Sequence, residues 1–433
     1  MQTNFTLAQL ADPDLAEANK ILRACVHCGF CTATCPTYLL LGDELDGPRG
    51  RIYLIKDMLE GGKPATEKVV THIDRCLSCL ACMTTCPSGV HYMHLVDQGR
   101  VHIEETYRRP WHERWLRRLL ARVLPSPALF RLAMVGARLA RPLAILMPGR
   151  LRAMLGMASM PVHAPSSDDR PQVFPAGGAR RKRVALLTGC VQRALAPEIN
   201  SATVRLLTRH GCEVVIAEGV GCCGALAHHL GHEHDALASV RANVRAWSAE
   251  IERRGLDAIV VNASGCGTMV KDYGYLLRSD PEWKDRAATV SSRARDISEV
   301  MAELGLARPT RTTGQVVAYH SACSLQHGQR VRDEPKRLLA AAGFGVRDVP
   351  EGHICCGSAG TYNLLQPALA ERLGRRKVGH IESVKPDIVA TGNIGCMVQI
   401  SRGTSIPVVH TVELLDWATG GPMPSALVRA QST

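Results

Sequence analysis

Two stretches decide the N-terminal fold: CVHCGFCTATCP at residues 25–36 and CLSCLACMTTCP at residues 76–87. Cys25, Cys28, Cys31 and Cys35 recur as Cys76, Cys79, Cys82 and Cys86, and a proline (Pro36, Pro87) follows each fourth cysteine. This is the C-x2-C-x2-C-x3-C-P run that ligates iron–sulfur cubanes. Three thiolates two residues apart can wrap three irons of one cubane, and the fourth faces away to the neighbouring cluster. The expected ligand sets are therefore crossed. Cys25, Cys28, Cys31 and Cys86 hold one [4Fe–4S] cluster; Cys76, Cys79, Cys82 and Cys35 hold the other. Zinc also uses paired CxxC, but tetrahedral zinc has no use for a third CxxC step. Thr37–Arg75 separates the runs and Arg51–Leu59 reads as a helix, so residues 1–105 are expected to form a mainly helical ferredoxin domain.

A second, longer repeat lies downstream. Cys190, Cys222, Cys223 and Cys266 recur as Cys323, Cys355, Cys356 and Cys396, with a glycine after each Cys-Cys pair. Each copy alternates short apolar strands with helical stretches. Val184–Leu187, Glu213–Ala217 and Ala258–Asn262 match Val316–Tyr319, Gly345–Val349 and Asp387–Thr391. The longer helical stretches are Ala225–Arg253 and Thr361–Ser383. This alternation marks parallel-sheet α/β units. The expected fold class is α/β: a helical ferredoxin domain, then a duplicated α/β domain at 183–305 and 306–433. The cysteines fall after the strands, where open α/β sheets gather their ligands. The eight are candidate ligands of further iron–sulfur or metal centres; redox-active thiols and simple packing are the alternatives. Cys212 stands outside both repeats.

The chain has 433 residues, 17 cysteines and a net charge of +12. That many cysteines in a reducing compartment points to metal or redox chemistry rather than disulfides. The first residues carry acids and no basic apolar start, so a cytoplasmic location is expected. Residues 106–182 are expected to be a helical connector and linker. Within them, residues 108–152 hold eleven arginines and one acid. Trp111–Met160 reads as amphipathic helices interrupted by Pro125, Pro127, Pro142 and Pro148, and Pro161–Arg183 as a linker. Three roles are open for the arginines: a peripheral anionic-membrane contact, a partner contact, or solvent. No groove-reading motif supports nucleic-acid binding.

Gly219, Gly221 and Gly224 spell GxGxxG, but no acid follows in 236–249, so dinucleotide binding is not expected. His228, His229, His232 and His234 read as an exposed polar face. His320 and His353 are candidate hydrogen-bond donors to a cluster sulfur.

The layout resembles the glycolate oxidase iron–sulfur subunit family. Beyond the cysteines, the resemblance rests on Pro48–Arg49–Gly50–Arg51, Gly221 to Leu226, Asn262 to Gly267, Cys355 to Asn363 and Gly392 to Cys396. It implies an electron-transfer subunit with two [4Fe–4S] clusters and no flavin or NAD of its own. A flavin-containing partner oxidises glycolate to glyoxylate, and a quinone or other membrane acceptor takes the electrons. A cytoplasmic place, peripheral on the inner face of the plasma membrane, goes with that role. Relatives with the same parts serve lactate or glycerol-3-phosphate oxidation, or are heterodisulfide-reductase-like catalytic subunits. In heterodisulfide reductase the sites end in CxxC; here Met269 and Gln399 follow Cys266 and Cys396 at that spacing.

Overall fold

The computed structural model describes residues 1–142, 147, 149–157, 161–311 and 314–431. Pro148 and Met160, part of the expected helical connector, lie outside the described residues.

Residues 1–106 are helical, and the helix starts follow from the sequence. Pro13, Pro36 and Pro48 each occupy the first turn of a helix, where a missing N–H costs nothing. The helix expected at Arg51–Leu59 spans Pro48–Gly61 and ends at Gly62 in the left-handed region. Its buried face, Ile52, Ile55 and Leu59, packs on Ile21, Leu22, Leu95 and Val96 in one core. At about 25 cal/mol per Å² of apolar surface, each such side chain contributes about 2 kcal/mol.

The duplicated part forms two sheets. The first has the order β1-β3-β2-β4-β5: β1 Gln172–Phe174, β2 Lys182–Leu187, β3 Cys212–Ile216, β4 Ala258–Val261 and β5 Ala294–Asp296. The second has the order β7-β6-β8-β9: β6 Val316–Tyr319, β7 Gly345–Asp348, β8 Ile388–Thr391 and β9 Val408–His410. Apart from β1, every pairing is parallel. The strands β3-β2-β4-β5 and β7-β6-β8-β9 share one order, so the repeat seen in the cysteines is a repeat of topology.

Four details differ from the sequence reading. The stretch read as a linker holds β1, which pairs antiparallel with β3 through Val173 and Val215. The strands β5 and β9 were not expected; with three residues each, they carry too little periodicity to be seen. Ala225–Arg253 is two helices, Ala225–His229 and Glu233–Arg254, separated by Gly231 at positive φ. Thr361–Ser383 is likewise divided, because Pro367 opens a new helix.

The two halves share a helical layer. Helix Glu198–Arg209 packs on Thr411–Ala418, and Ile297–Leu304 on Glu334–Ala341. Leu206, Leu207, Val300, Met301, Leu339, Val412 and Leu415 belong to a single core that crosses the duplication. The helices of the connector, Trp111–Val123, Pro127–Ala140 and Gly149–Met157, form a roof over both halves. Leu120, Phe130 and Met134 meet Ala194 and Leu195 of the first half and Leu364 and Val398 of the second.

Candidate iron–sulfur sites

In the N-terminal domain the two cysteine runs fold against each other. A cavity of about 30 Å³ is lined by Cys25, Cys28, Cys31 and Cys86, with Cys82 at its edge. A second, of about 20 Å³, is lined by Cys35, Cys76, Cys79 and Cys82. The structure thus groups Cys86 with the first run and Cys35 with the second. The backbone repeats as well. His27 and Ser78 have positive φ at the same register, and so do Gly29 and Leu80. Three of these four are not glycine, and left-handed backbone away from glycine costs about 1–3 kcal/mol, a strain found mainly at functional sites.

All seventeen cysteines are free thiols. Burial, then the neighbouring thiols, pushes Cys79 and Cys82 well above the usual range, and burial takes Cys31 up to about 11. Thiols crowded this way resist ionisation until a cation joins them, and a bound metal reverses the preference. The donor set fits two cubanes.

Arg51, almost fully buried, is the countercharge. Its guanidinium lies 3.8 Å from Cys35 Sγ, donates to Thr37 Oγ1 at 3.0 Å and to the His72 carbonyl at 2.8 Å, and pairs with buried Asp46 at 3.6 Å. Asp46 also takes Arg75 at 2.8 Å and His72 at 3.0 Å. Tyr92 directs its hydroxyl at Cys76 Sγ, 3.7 Å away.

The later cysteines converge for a topological reason. In each half the first strand, β2 or β6, lies between the second and third, so the chain leaves it in opposite directions. Cys190, Cys222 and Cys223 follow β2 and β3, and Cys266 opens the helix after β4; Cys323, Cys355, Cys356 and Cys396 repeat the pattern. These loops meet at the switch point of the sheet, where ligand sites form. Cys190 and Cys222 are 3.7 Å apart, as are Cys323 and Cys355. Gly224 and Gly357 adopt φ near +90° and donate their N–H to the sulfurs of Cys222 (3.5 Å) and Cys355 (3.4 Å). Contact with the Cys190 and Cys223 thiols, with the Gly224 N–H, pulls Cys222 down to about 3 against burial.

The two sets are not identical. His320 is buried with both ring nitrogens lacking a hydrogen-bond partner, and its nitrogen lies within 4.8 Å of the sulfurs of Cys356 and Cys396. The first half has Leu187 at that register. His353 offers its carbonyl to His327 rather than its ring to the cysteines. Asn393 donates to Cys396 Sγ at 3.4 Å, and Asn243 holds the Gly221 N–H, the Cys222 carbonyl and the Tyr273 hydroxyl. Nothing in the sequence singles out Asn243, which lies mid-helix far from the motif. Met269 and Gln399 have structural partners: Met269 packs beside Gly224, and Gln399 donates to the Ala370 carbonyl. Cys212 is a buried strand residue of the shared core.

The ferredoxin domain touches both halves. Leu77, Cys79 and Ala81 share a cluster with Ile354, Cys355 and Tyr362, which sets the second run against the second Cys-Cys-Gly loop. Thr84 and His327 hydrogen bond at 2.7 Å across the same contact. On the other side His94 meets Asp272 at 3.0 Å, and His228 meets buried Asp97 at 3.3 Å. The histidine cluster is thus not the exposed face expected from the sequence. His228, His229 and His232 face acids Asp97 and Glu104 of the ferredoxin domain, and only His234 is largely exposed.

Comparison with known proteins agrees with this layout. Residues 21–90 match the 4Fe-4S dicluster domain family, and residues 184–271 and 317–401 the Cysteine-rich domain family. The chain is 45% identical to the glycolate oxidase iron-sulfur subunit of Escherichia coli (strain K12), over 96% of this chain and 99% of that protein. It is 32% identical to the probable glycolate oxidase iron-sulfur subunit of Bacillus subtilis (strain 168), over 92% of this chain and 94% of that one. Lactate utilization protein A of Geobacillus thermodenitrificans is 28% identical over 54% of this chain and 98% of its own. Among solved structures, a hypothetical protein from Helicobacter pylori shares the fold, with a TM-score of 0.55 and 10% identity, over 96% of this chain and 74% of that one.

Proposed function

The chain belongs to the family of glycolate oxidase iron–sulfur subunits, and from that membership we propose that it carries electrons within a glycolate-oxidising complex. A flavin-bearing partner oxidises glycolate to glyoxylate, and this chain passes the electrons to a quinone-type acceptor. Cys25, Cys28, Cys31 and Cys86 hold one [4Fe–4S] cluster, and Cys76, Cys79, Cys82 and Cys35 the other. The Cys-Cys-Gly sets hold further centres: Cys190, Cys222, Cys223 and Cys266, then Cys323, Cys355, Cys356 and Cys396. The clusters supply one-electron chemistry; the protein positions them and sets their surroundings.

The observation that carries this reading is the packing of Cys79 against the Cys355 loop, in one buried cluster with Leu77, Ala81, Ile354 and Tyr362. It supports a route from the ferredoxin domain into the second Cys-Cys-Gly domain without crossing solvent. Arg51 keeps positive charge beside Cys35 as electron density arrives.

The test is anaerobic reduction of the purified full chain by glycolate, with and without the flavin subunit. The expected result is ferredoxin-type EPR signals only when that subunit is present, with Cys86→Ser and Cys35→Ser each removing a different signal. Centres that stay oxidised in the presence of glycolate and the flavin subunit overturn the reading.

A further inference from the structure

Beneath the roof lies a chamber of about 520 Å³, within the range of small-molecule sites. Its floor is the meeting point of the two later cysteine sets, with every one of the eight except Cys222 on its surface. Its upper walls are apolar, with Val123, Phe130, Met134, Ala137, Leu155 and Leu226 among them. Among the described residues no Asp, Glu, Lys or Arg lines it. Three lining residues carry a polar atom without a hydrogen-bond partner, Gln192 at Oε1, Asn363 at Oδ1 and His229 at Nδ1, and the last of these faces Asp97 Oδ1 at 3.7 Å.

Each feature restricts the occupant. Walls without charge exclude glycolate or any other carboxylate, whose desolvation nothing there would offset. Walls of Phe, Met, Leu and Val favour a hydrocarbon portion. The unpartnered amide oxygens of Gln192 and Asn363 are acceptors, and they suit a neutral head that presents hydroxyl groups in its reduced form. Seven cysteines at the floor place that head beside the candidate redox centres. On its outer side the roof exposes Trp111, Trp115, Leu132 and Leu139, a face through which an apolar ligand can be received from lipid.

We propose that this chamber binds a lipophilic quinone, its head toward the cysteine floor and its tail between the roof helices. The inference rests on the electron-transfer reading above and names the place where that reading ends. Conversion of the quinone to its quinol takes up two electrons, which the flavin partner supplies, and two protons, which come from solvent. No bond of the protein forms or breaks.

The experiment measures equilibrium binding of decylubiquinone to the anaerobically reconstituted full chain, with 1-decanol as a headless competitor. Saturable binding of one decylubiquinone per chain, at least tenfold better than 1-decanol competes, is expected. Ala137→Trp and Ala133→Trp, which fill the chamber from the roof, are expected to weaken binding at least tenfold with iron content and ferredoxin-type EPR signals retained. Non-saturable uptake, equal competition by 1-decanol, or undiminished binding in both variants overturns the proposal; the competition result on the unaltered chain decides alone if both variants lose iron. If the flavin subunit and glycolate still reduce a chain that does not bind decylubiquinone, the chamber assignment fails and electron transfer stands. If the centres are not reduced, electron transfer itself fails.

Discussion

Arg51 joins two roles that pull on the same atoms. It neutralises buried Asp46 and sits beside Cys35. Arg51→Gln removes a positive charge next to the second expected cluster, so the oxidised form gains relative to the reduced one. The midpoint potential is expected to fall by on the order of 50 mV in a redox titration followed by EPR. The same change leaves Asp46 with one fewer partner in the interior and should lower stability by about 3 kcal/mol in chemical denaturation. His320 offers a sharper comparison because the duplication supplies the control. His320→Leu gives the second half the residue the first half already has, Leu187. The potential or spectrum of the second Cys-Cys-Gly centre should change while the ferredoxin-type signals stay. His353→Ala, whose ring does not reach the cysteines, should leave all of them unchanged. Gly357 allows no side chain: φ is +91°, and a Cβ would lie 2.6 Å from the Ala370 carbonyl. Gly224, with 3.0 Å to the Ala236 carbonyl, is slightly less tight. Gly357→Ala is expected to cost about 3 kcal/mol and more than Gly224→Ala, read from melting of the paired variants.

Between elements, the contact most open to test is His228 of helix Ala225–His229 against Asp97 of helix Tyr92–Thr106. Burial works against both charges, but Asp97 raises His228 above its ordinary value, and His228 with His229 holds Asp97 well below its own. A histidine raised in the folded state adds stability that is whole below its unfolded pKa near 6.5 and is lost as pH climbs through the folded value. The contact should therefore loosen on the alkaline side. Hydrogen exchange in 92–106 should speed up from pH 6 to pH 9 beyond its intrinsic rate, and His228→Asn should flatten that dependence. Sequence reading failed here for a clear reason. Four histidines in seven residues look like a solvated face, and the ferredoxin-domain acids that His228, His229 and His232 meet, Asp97 and Glu104, are more than 100 residues away. The connector was partly legible in the same way. Its prolines marked where helices stop, but not that Arg109 and Arg117 would turn inward. Both meet Asp74 at 2.7 Å. Against burial, Arg117 and Arg109 hold that carboxylate below its usual range.

For the whole molecule, the cysteine spacings carried most of the information. A nearly constant offset between repeats is a statement about topology, and the sheets β3-β2-β4-β5 and β7-β6-β8-β9 share one order. The spacings could not reveal which way the two halves face, because that depends on Leu206, Val300 and Leu415 meeting across the duplication. Nor could they show the roof, since its apolar residues look alike whether they point inward or out. Among the described residues no helix is long and apolar enough to cross a membrane. The roof's outward Trp111 and Trp115, with Arg114, Arg118 and Arg122 on the same exposed helix, fit a lipid surface instead. In vesicle flotation, Trp111→Ser with Trp115→Ser should cut attachment to anionic liposomes at least tenfold and leave iron content intact. Equal attachment of the double variant would leave the roof without a lipid role.

The shared helical layer has a consequence for synthesis. Helix Glu198–Arg209 is made about 200 residues before the helix that covers it, Thr411–Ala418. For that interval the nascent chain leaves Leu206 and Leu207 without their cover from the second half, in reach of holding chaperones, and the shared layer closes only after the second half has followed.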